Sequence, residues 1–116
     1  MKNTFLVLIC LLLANCSSKL KPDSIEVIAE EYVRLVLQVD QYDSAVVDAY
    51  FGPEEWKPNE QKAAIFPEET LVNSANDLLS KCKTLLESKS PNLDIRRVEM
   101  LQKQLIALRT KVQMIG

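Results

Sequence analysis

Histidine is absent from the 116 residues of this chain. That absence removes histidine-based triads, His-Glu-x-x-His zinc sites and histidine general bases from anything the chain does alone. An excess of positive charge is missing as well. Fourteen Lys and Arg stand against 16 Asp and Glu, a formal net charge of −2 at pH 7 with both signs interspersed. A nucleic-acid footprint needs a basic patch or stripe, so no nucleic-acid partner is expected. A polybasic membrane tether needs clustered cations, and Lys19 and Lys21 stand almost alone. There is no apolar run of the length that spans a bilayer, about 20 residues at 1.5 Å each. Alternating apolar and polar stretches of useful length are lacking too, which removes a sheet from the expected fold.

What is present begins at the N-terminus. One base, Lys2, precedes an unbroken apolar run from Phe5 to Ala14, which ends in Leu13-Ala14-Asn15-Cys16. The run is about half a spanning helix and suits the h-region of a secretory leader, typically about 7–15 residues. It resembles bacterial lipoprotein leaders, whose processing box is Leu, a small residue, Gly, Ala or Ser, and then Cys. Leu13, Ala14 and Cys16 fit that box; Asn15 departs from it, being larger than the usual residue. The resemblance implies that Cys16 becomes the mature N-terminus and carries acyl chains. It also implies that Ser17, where Asp would signal retention, directs the protein to the outer membrane rather than the inner one. Two or more acyl chains anchor stably where one binds marginally, so the membrane itself is the first expected partner. Plain secretion, with Cys16 near the cut by coincidence, and an uncleaved anchor are the alternatives. The expected organisation is a signal peptide over 1–15, a lipidated cysteine and polar tether over 16–22, and one small domain over 23–116.

The three cysteines do not make a disulfide framework. Cys10 leaves with the leader and Cys16 is acylated, so Cys82 has no partner. A lone thiol on an apolar helix face reads as a small buried hydrophobe rather than a redox or metal group.

Beyond the tether, the spacing is helical. Asp23 or Ser24 caps a first helix, with Glu26 three residues after Asp23 in the capping-box position. Ile25, Ile28, Ala29, Tyr32, Val36 and Val39 follow helical spacing for about 16 residues. Val33, Leu35 and Leu37 widen the apolar arc beyond that of a lone surface helix, which predicts substantial burial. Asp43 or Ser44 then starts a short second helix through Ala45–Phe51, closed by a left-handed Gly52 and by Pro53. Glu54-Glu55-Trp56-Lys57 forms one turn, and 58–66 is an irregular connection. Pro67 suits the first turn of a further helix whose positive end Glu68 and Glu69 complement. Its face carries Leu71, Ala75, Leu78, Cys82 and Leu85. After a break at 88–92 a final helix, about Leu93–Met114, carries Val98, Leu101, Leu105, Leu108, Val112 and Ile115 in near-heptad spacing. Two such stripes across a short loop predict an antiparallel helical hairpin. The expected fold is all-α, a small antiparallel bundle or hairpin of three to four helices after a cleaved leader.

No constellation in this domain carries chemistry. The paired acids Glu30-Glu31, Glu54-Glu55 and Glu68-Glu69 are adjacent on helices and point about 100° apart, so no pair makes a carboxylate dyad across a pocket. Catalytic residues, a metal site and a cofactor are therefore all expected to be none. The most distinctive stretch is Asp48-Ala49-Tyr50-Phe51-Gly52-Pro53-Glu54-Glu55-Trp56. Tyr50, Phe51 and Trp56 around a Gly-Pro turn read as a hydrophobic plug that fixes a chain reversal, or as a stacking site for a ligand.

Together with Glu31-Tyr32-Val33-Arg34-Leu35 and Leu101-Gln102-Lys103-Gln104-Leu105-Ile106-Ala107-Leu108-Arg109, that stretch resembles the N-terminal region of a bacterial protein group. The group's run is Asp-Ala-Tyr-Tyr-Gly-Pro-Pro-Glu-Trp, from which Phe51 and Glu54 depart. The resemblance covers about 26–115. In that family a later His-Glu-x-x-x-His-His element suggests a zinc metallopeptidase. None of it lies in this chain, so no catalytic residue carries over. The resemblance implies either a truncated or split product of a peptidase-like lipoprotein, or a helical module retained alone that binds a protein partner through its helical faces.

Overall fold

The computed structural model describes residues 24–116, and the leader, Cys10, Cys16 and the tether lie outside them. The described residues form three α-helices and no strand: α1 (Ile25–Asp40), α2 (Glu68–Glu87) and α3 (Ile95–Ile115), with a 3-10 turn at Glu54–Trp56. This is a small all-α bundle.

Helix α1 starts where a side chain can replace a missing backbone partner. The Ser24 hydroxyl accepts from the Val27 N–H at 3.4 Å, which satisfies one of the helix's orphan donors. Ser24, and not Asp23, is therefore the cap, and Val27 rather than Glu26 occupies the third helical position. Ile25, Ile28, Leu35 and Val39 enter the core, and Leu37 is buried outside that cluster. The wide apolar arc is thus covered on more than one side.

The connection from α1 to α2 departs from expectation. No helix forms over Ala45–Phe51. Asp43 Oδ1 accepts from the Ala45 N–H at 3.0 Å, and Asp40 Oδ1 accepts from the Val47 N–H at 3.2 Å. These local bonds offer the backbone an alternative to the helical ladder, and the β-branched pair Val46-Val47 gives the helix little in return. With no helix to end, Gly52 has no left-handed role, and neither glycine of the described residues has a positive φ. Instead Tyr50 folds back over Gly52, its hydroxyl donating to the Pro53 carbonyl at 3.0 Å.

Pro67 stands just before α2 rather than within its first turn, and Glu68 and Glu69 lie at the positive end of the helix. Ser88 closes α2, its N–H donating to the Thr84 carbonyl at 3.0 Å. Asp94 opens α3 by accepting from the Arg97 N–H at 3.2 Å. Between them Lys89 takes a left-handed conformation, φ 49°.

Helices α2 and α3 make the antiparallel hairpin that their stripes predict. Leu71, Ala75, Leu78 and Cys82 share one buried cluster with Val98, Leu101, Leu105, Leu108 and Val112. Glu68 at the start of α2 lies against Gly116 beyond the end of α3, so the two helices run alongside for their full length. Cys82 is fully buried within this seam, and burial pushes its thiol pKa up. Helix α1 packs mainly on α2 and more lightly on α3. Ion pairs fasten it: Glu31 to Lys81 at 2.6 Å and Glu26 to Arg97 at 3.1 Å, with Asp43 just beyond its end held by Lys111 at 2.6 Å. Among the described residues no helix is long and apolar enough to cross a membrane.

Candidate functional site

A concavity lies where the connection crosses α1. Arg34, Gln38 and Gln41 stand four and three residues apart along α1 and its C-terminal cap, at the edge of the core beside α2, so helical geometry gathers them into one polar stripe. Opposite them runs a strap of residues 57–67 in which Pro58 and Pro67 disfavour helix. The cavity, open to solvent on one side, is about 510 Å³, within the range of sites that hold small molecules.

Two sets of bonds keep the strap raised over the helix. At one end Arg34 Nη1 donates to the Glu55 carbonyl at 2.7 Å, and its guanidinium lies 5.7 Å from the Trp56 ring centroid. Glu30 holds the same guanidinium at 2.8 Å, which fixes its plane. At the other end the Ala63 N–H donates to the Tyr42 hydroxyl at 2.9 Å. Gln41 Nε2 donates to the Glu60 carbonyl at 3.3 Å, and Lys62 Nζ returns a bond to the Gln41 carbonyl at 3.3 Å. Tyr42 is itself braced edge-on by Phe66, with ring centroids 5.1 Å apart.

Comparison with protein-family models, curated proteins and solved structures finds no match. The residues themselves therefore carry the functional reading.

Of the residues singled out in the sequence, Cys16 lies outside the described residues. Tyr50, Phe51 and Trp56 do not gather into one plug. Phe51 is 96% exposed. Tyr50 folds onto Gly52 with Lys57 Nζ 5.8 Å from its ring centroid. Trp56 alone of the three lines the cavity. The aromatic that joins it there is Tyr42, together with Arg34, Gln38 and Gln41, none of which stood out in the sequence as a site residue. Their signal was present as a polar stripe at helical spacing within an otherwise wide apolar arc. Among the described residues no group of three or more His, Cys, Asp or Glu is placed to hold a metal ion.

Charge in the cavity is largely neutralised. Glu30 faces Arg34, and Glu54 faces Lys57 at 2.7 Å; Glu60 and Lys62, also in the lining, offset each other in formal charge. A second hollow of about 270 Å³ continues between α1 and α2, walled by Gln38 and Arg34 and by the Glu31–Lys81 pair. The two hollows lie next to one another along α1, with Arg34 and Gln38 in the lining of both.

Proposed function

We propose that this protein is a lipid-anchored helical module of the cell envelope, held on the periplasmic face of the outer membrane, without a catalytic site of its own. It corresponds to the leading helices of the metallopeptidase-like family that its sequence resembles. The observation that carries this reading is Leu13-Ala14-Asn15-Cys16 at the end of a ten-residue apolar run, followed by a short polar tether. An all-α domain whose first helix is capped at Ser24, close behind that tether, supports it. An acylated Cys16 would then hold the bundle at the bilayer without a spanning helix.

Mass analysis of the protein purified from membranes of a Gram-negative host tests the anchor. The expected product has lost residues 1–15 and carries acyl chains on Cys16, and Cys16→Ala abolishes the modification. An unmodified N-terminus at Ser17 or beyond overturns the proposal.

A second reading, a standalone lipoprotein that binds a protein partner through its helical faces, is favoured by one feature. Met100 and Met114 on α3 are 63% and 76% exposed, which is apolar surface available to a partner. The genomic reading frame separates the two: continuation into a His-Glu-x-x-x-His-His segment identifies the leading part of a peptidase-like protein.

A further inference from the structure

The groove along α1 has a chemistry that the anchor reading does not use. Four carboxamides stand in its polar wall beside the charged groups: Gln38 and Gln41 from α1 and its C-terminal end, Asn59 and Gln61 from the strap. Each carboxamide offers donors and an acceptor side by side, the pattern that a sugar hydroxyl, itself donor and acceptor, satisfies from either direction. Two aromatic rings, Trp56 and Tyr42, stand in the same wall, with the Arg34 guanidinium 5.7 Å from the Trp56 centroid and Lys62 Nζ 5.9 Å from the Tyr42 centroid; the face of each ring away from its cation is the one on which the C–H face of a pyranose would pack. The wall is nearly neutral. Arg34, Lys57 and Lys81 are each matched by a carboxylate, Glu30, Glu54 and Glu31 respectively, while Lys62 and Glu60, also in the wall, offset each other in formal charge and Lys62 Nζ is held by the Gln41 carbonyl. An anionic ligand would have to displace those carboxylates, or draw Lys62 off the Gln41 carbonyl beside Glu60, whereas an uncharged polyhydroxyl ligand would not. The hollows of about 510 and 270 Å³ lie side by side along α1, with Arg34 and Gln38 in the lining of both. A linear ligand of several similar units would be long enough to reach both.

We propose that the groove between α1 and the 57–67 strap binds a neutral oligosaccharide, with Gln38, Gln41, Asn59 and Gln61 reading its hydroxyl or amide groups and Trp56 and Tyr42 packing its rings. This goes beyond the lipid anchor and does not depend on it.

Trp56 is the chain's single tryptophan, so intrinsic fluorescence reports on the groove directly. The full-length chain, purified in a detergent without a sugar head group, is titrated with tetra-N-acetylchitotetraose, cellotetraose and, as the anionic contrast, tetraglutamate. At least one saccharide is expected to shift the Trp56 emission saturably, with Kd in about the millimolar range or tighter. Tetraglutamate is expected to give no saturable shift. Gln38→Leu and Gln61→Leu, both at exposed positions, are expected to keep the helical circular dichroism and to weaken binding by about three- to tenfold each. Phe51→Ala, away from the groove, leaves the affinity unchanged. Absence of a saturable shift with both saccharides, equal affinity for tetraglutamate, or unchanged affinity in both glutamine variants overturns the proposal. Cys16 acylation is read by mass, so failure of either idea is distinguishable from failure of the other.

Discussion

Lys89 occupies the position just past the end of α2 where helices very often place glycine. Its φ of 49° puts a side-chain-bearing residue in the left-handed region, at a cost of about 1–2 kcal/mol. Glycine there would remove that cost, offset in part by about 0.5–1 kcal/mol for its freer unfolded chain. Lys89→Gly is therefore expected to stabilise the protein by up to about 1 kcal/mol, seen as a higher urea midpoint with an unchanged slope. A lower midpoint would mean that the Lys89 side chain stabilises the turn by more than its backbone strains it. The same scale explains Gly52. A Cβ there would run into the Tyr50 ring, so its smallness serves a close side-chain approach and not a helix end.

At the scale of elements, the helices were legible and the connection between the first two was not. Three stripes of apolar residues at helical spacing define α1, α2 and α3, because burial of a helical face depends on a period carried within each segment. Val98, Leu101, Leu105, Leu108 and Val112 are all buried as their spacing requires. The hairpin seam they form is unforgiving, since Leu105 is fully buried there. Leu105→Ala is expected to cost about 2–5 kcal/mol, measured by urea denaturation. Residues 41–67 obey no such period. Their path is decided by single side chains acting over distance: Asp40 on Val47, Arg34 on Glu55 and Tyr42 on Ala63. No local pattern announces a bond that spans 21 residues, as the Arg34 and Tyr42 bonds do. That is why Ala45–Phe51 read as a helix and why the groove, which those bonds hold open, was not foreseen. Trp56 was picked out by composition, but its neighbour Tyr42 became visible only once the strap was folded over α1.

For the molecule as a whole, carboxylates join the helices, and acid should loosen them. Glu26 is held below its ordinary pKa of 4.5, chiefly by its own backbone N–H, with Ser24 and Arg97 adding to the effect. Asp43 is held below 3.8 by the hydrogen bond to Lys111 and by the Ala45 N–H. A carboxylate with a depressed native pKa binds fewer protons folded than unfolded. Its contribution is complete above the ordinary value and is lost as the pH falls through that value and below. Tm is accordingly expected to be flat down to about pH 5 and to fall below about pH 4.5. Lys111→Met removes the largest cause at Asp43, so the acid-induced drop in Tm should be smaller in that variant. An equal drop would assign the acid sensitivity elsewhere. The Glu26–Arg97 pair is half exposed and the Asp43–Lys111 pair about a third exposed, and pairs of this kind contribute modestly; their effect is on how α1 is held rather than on whether α2 and α3 associate.

That asymmetry of attachment has a kinetic side. The α2–α3 seam is closed by a loop of residues 88–94, whereas α1 reaches the seam only across the long 41–67 connection. Short loops cost less entropy to close, so the hairpin is placed to form the folding nucleus, with α1 docking afterwards. Destabilisation then divides unequally between the two rates. Leu105→Ala should chiefly slow refolding, while Val39→Ala on α1 should leave refolding nearly unchanged and hasten unfolding, both read from the arms of a stopped-flow chevron. Opening of the groove would follow the same order in reverse, with α1 and its strap departing while the hairpin is still intact.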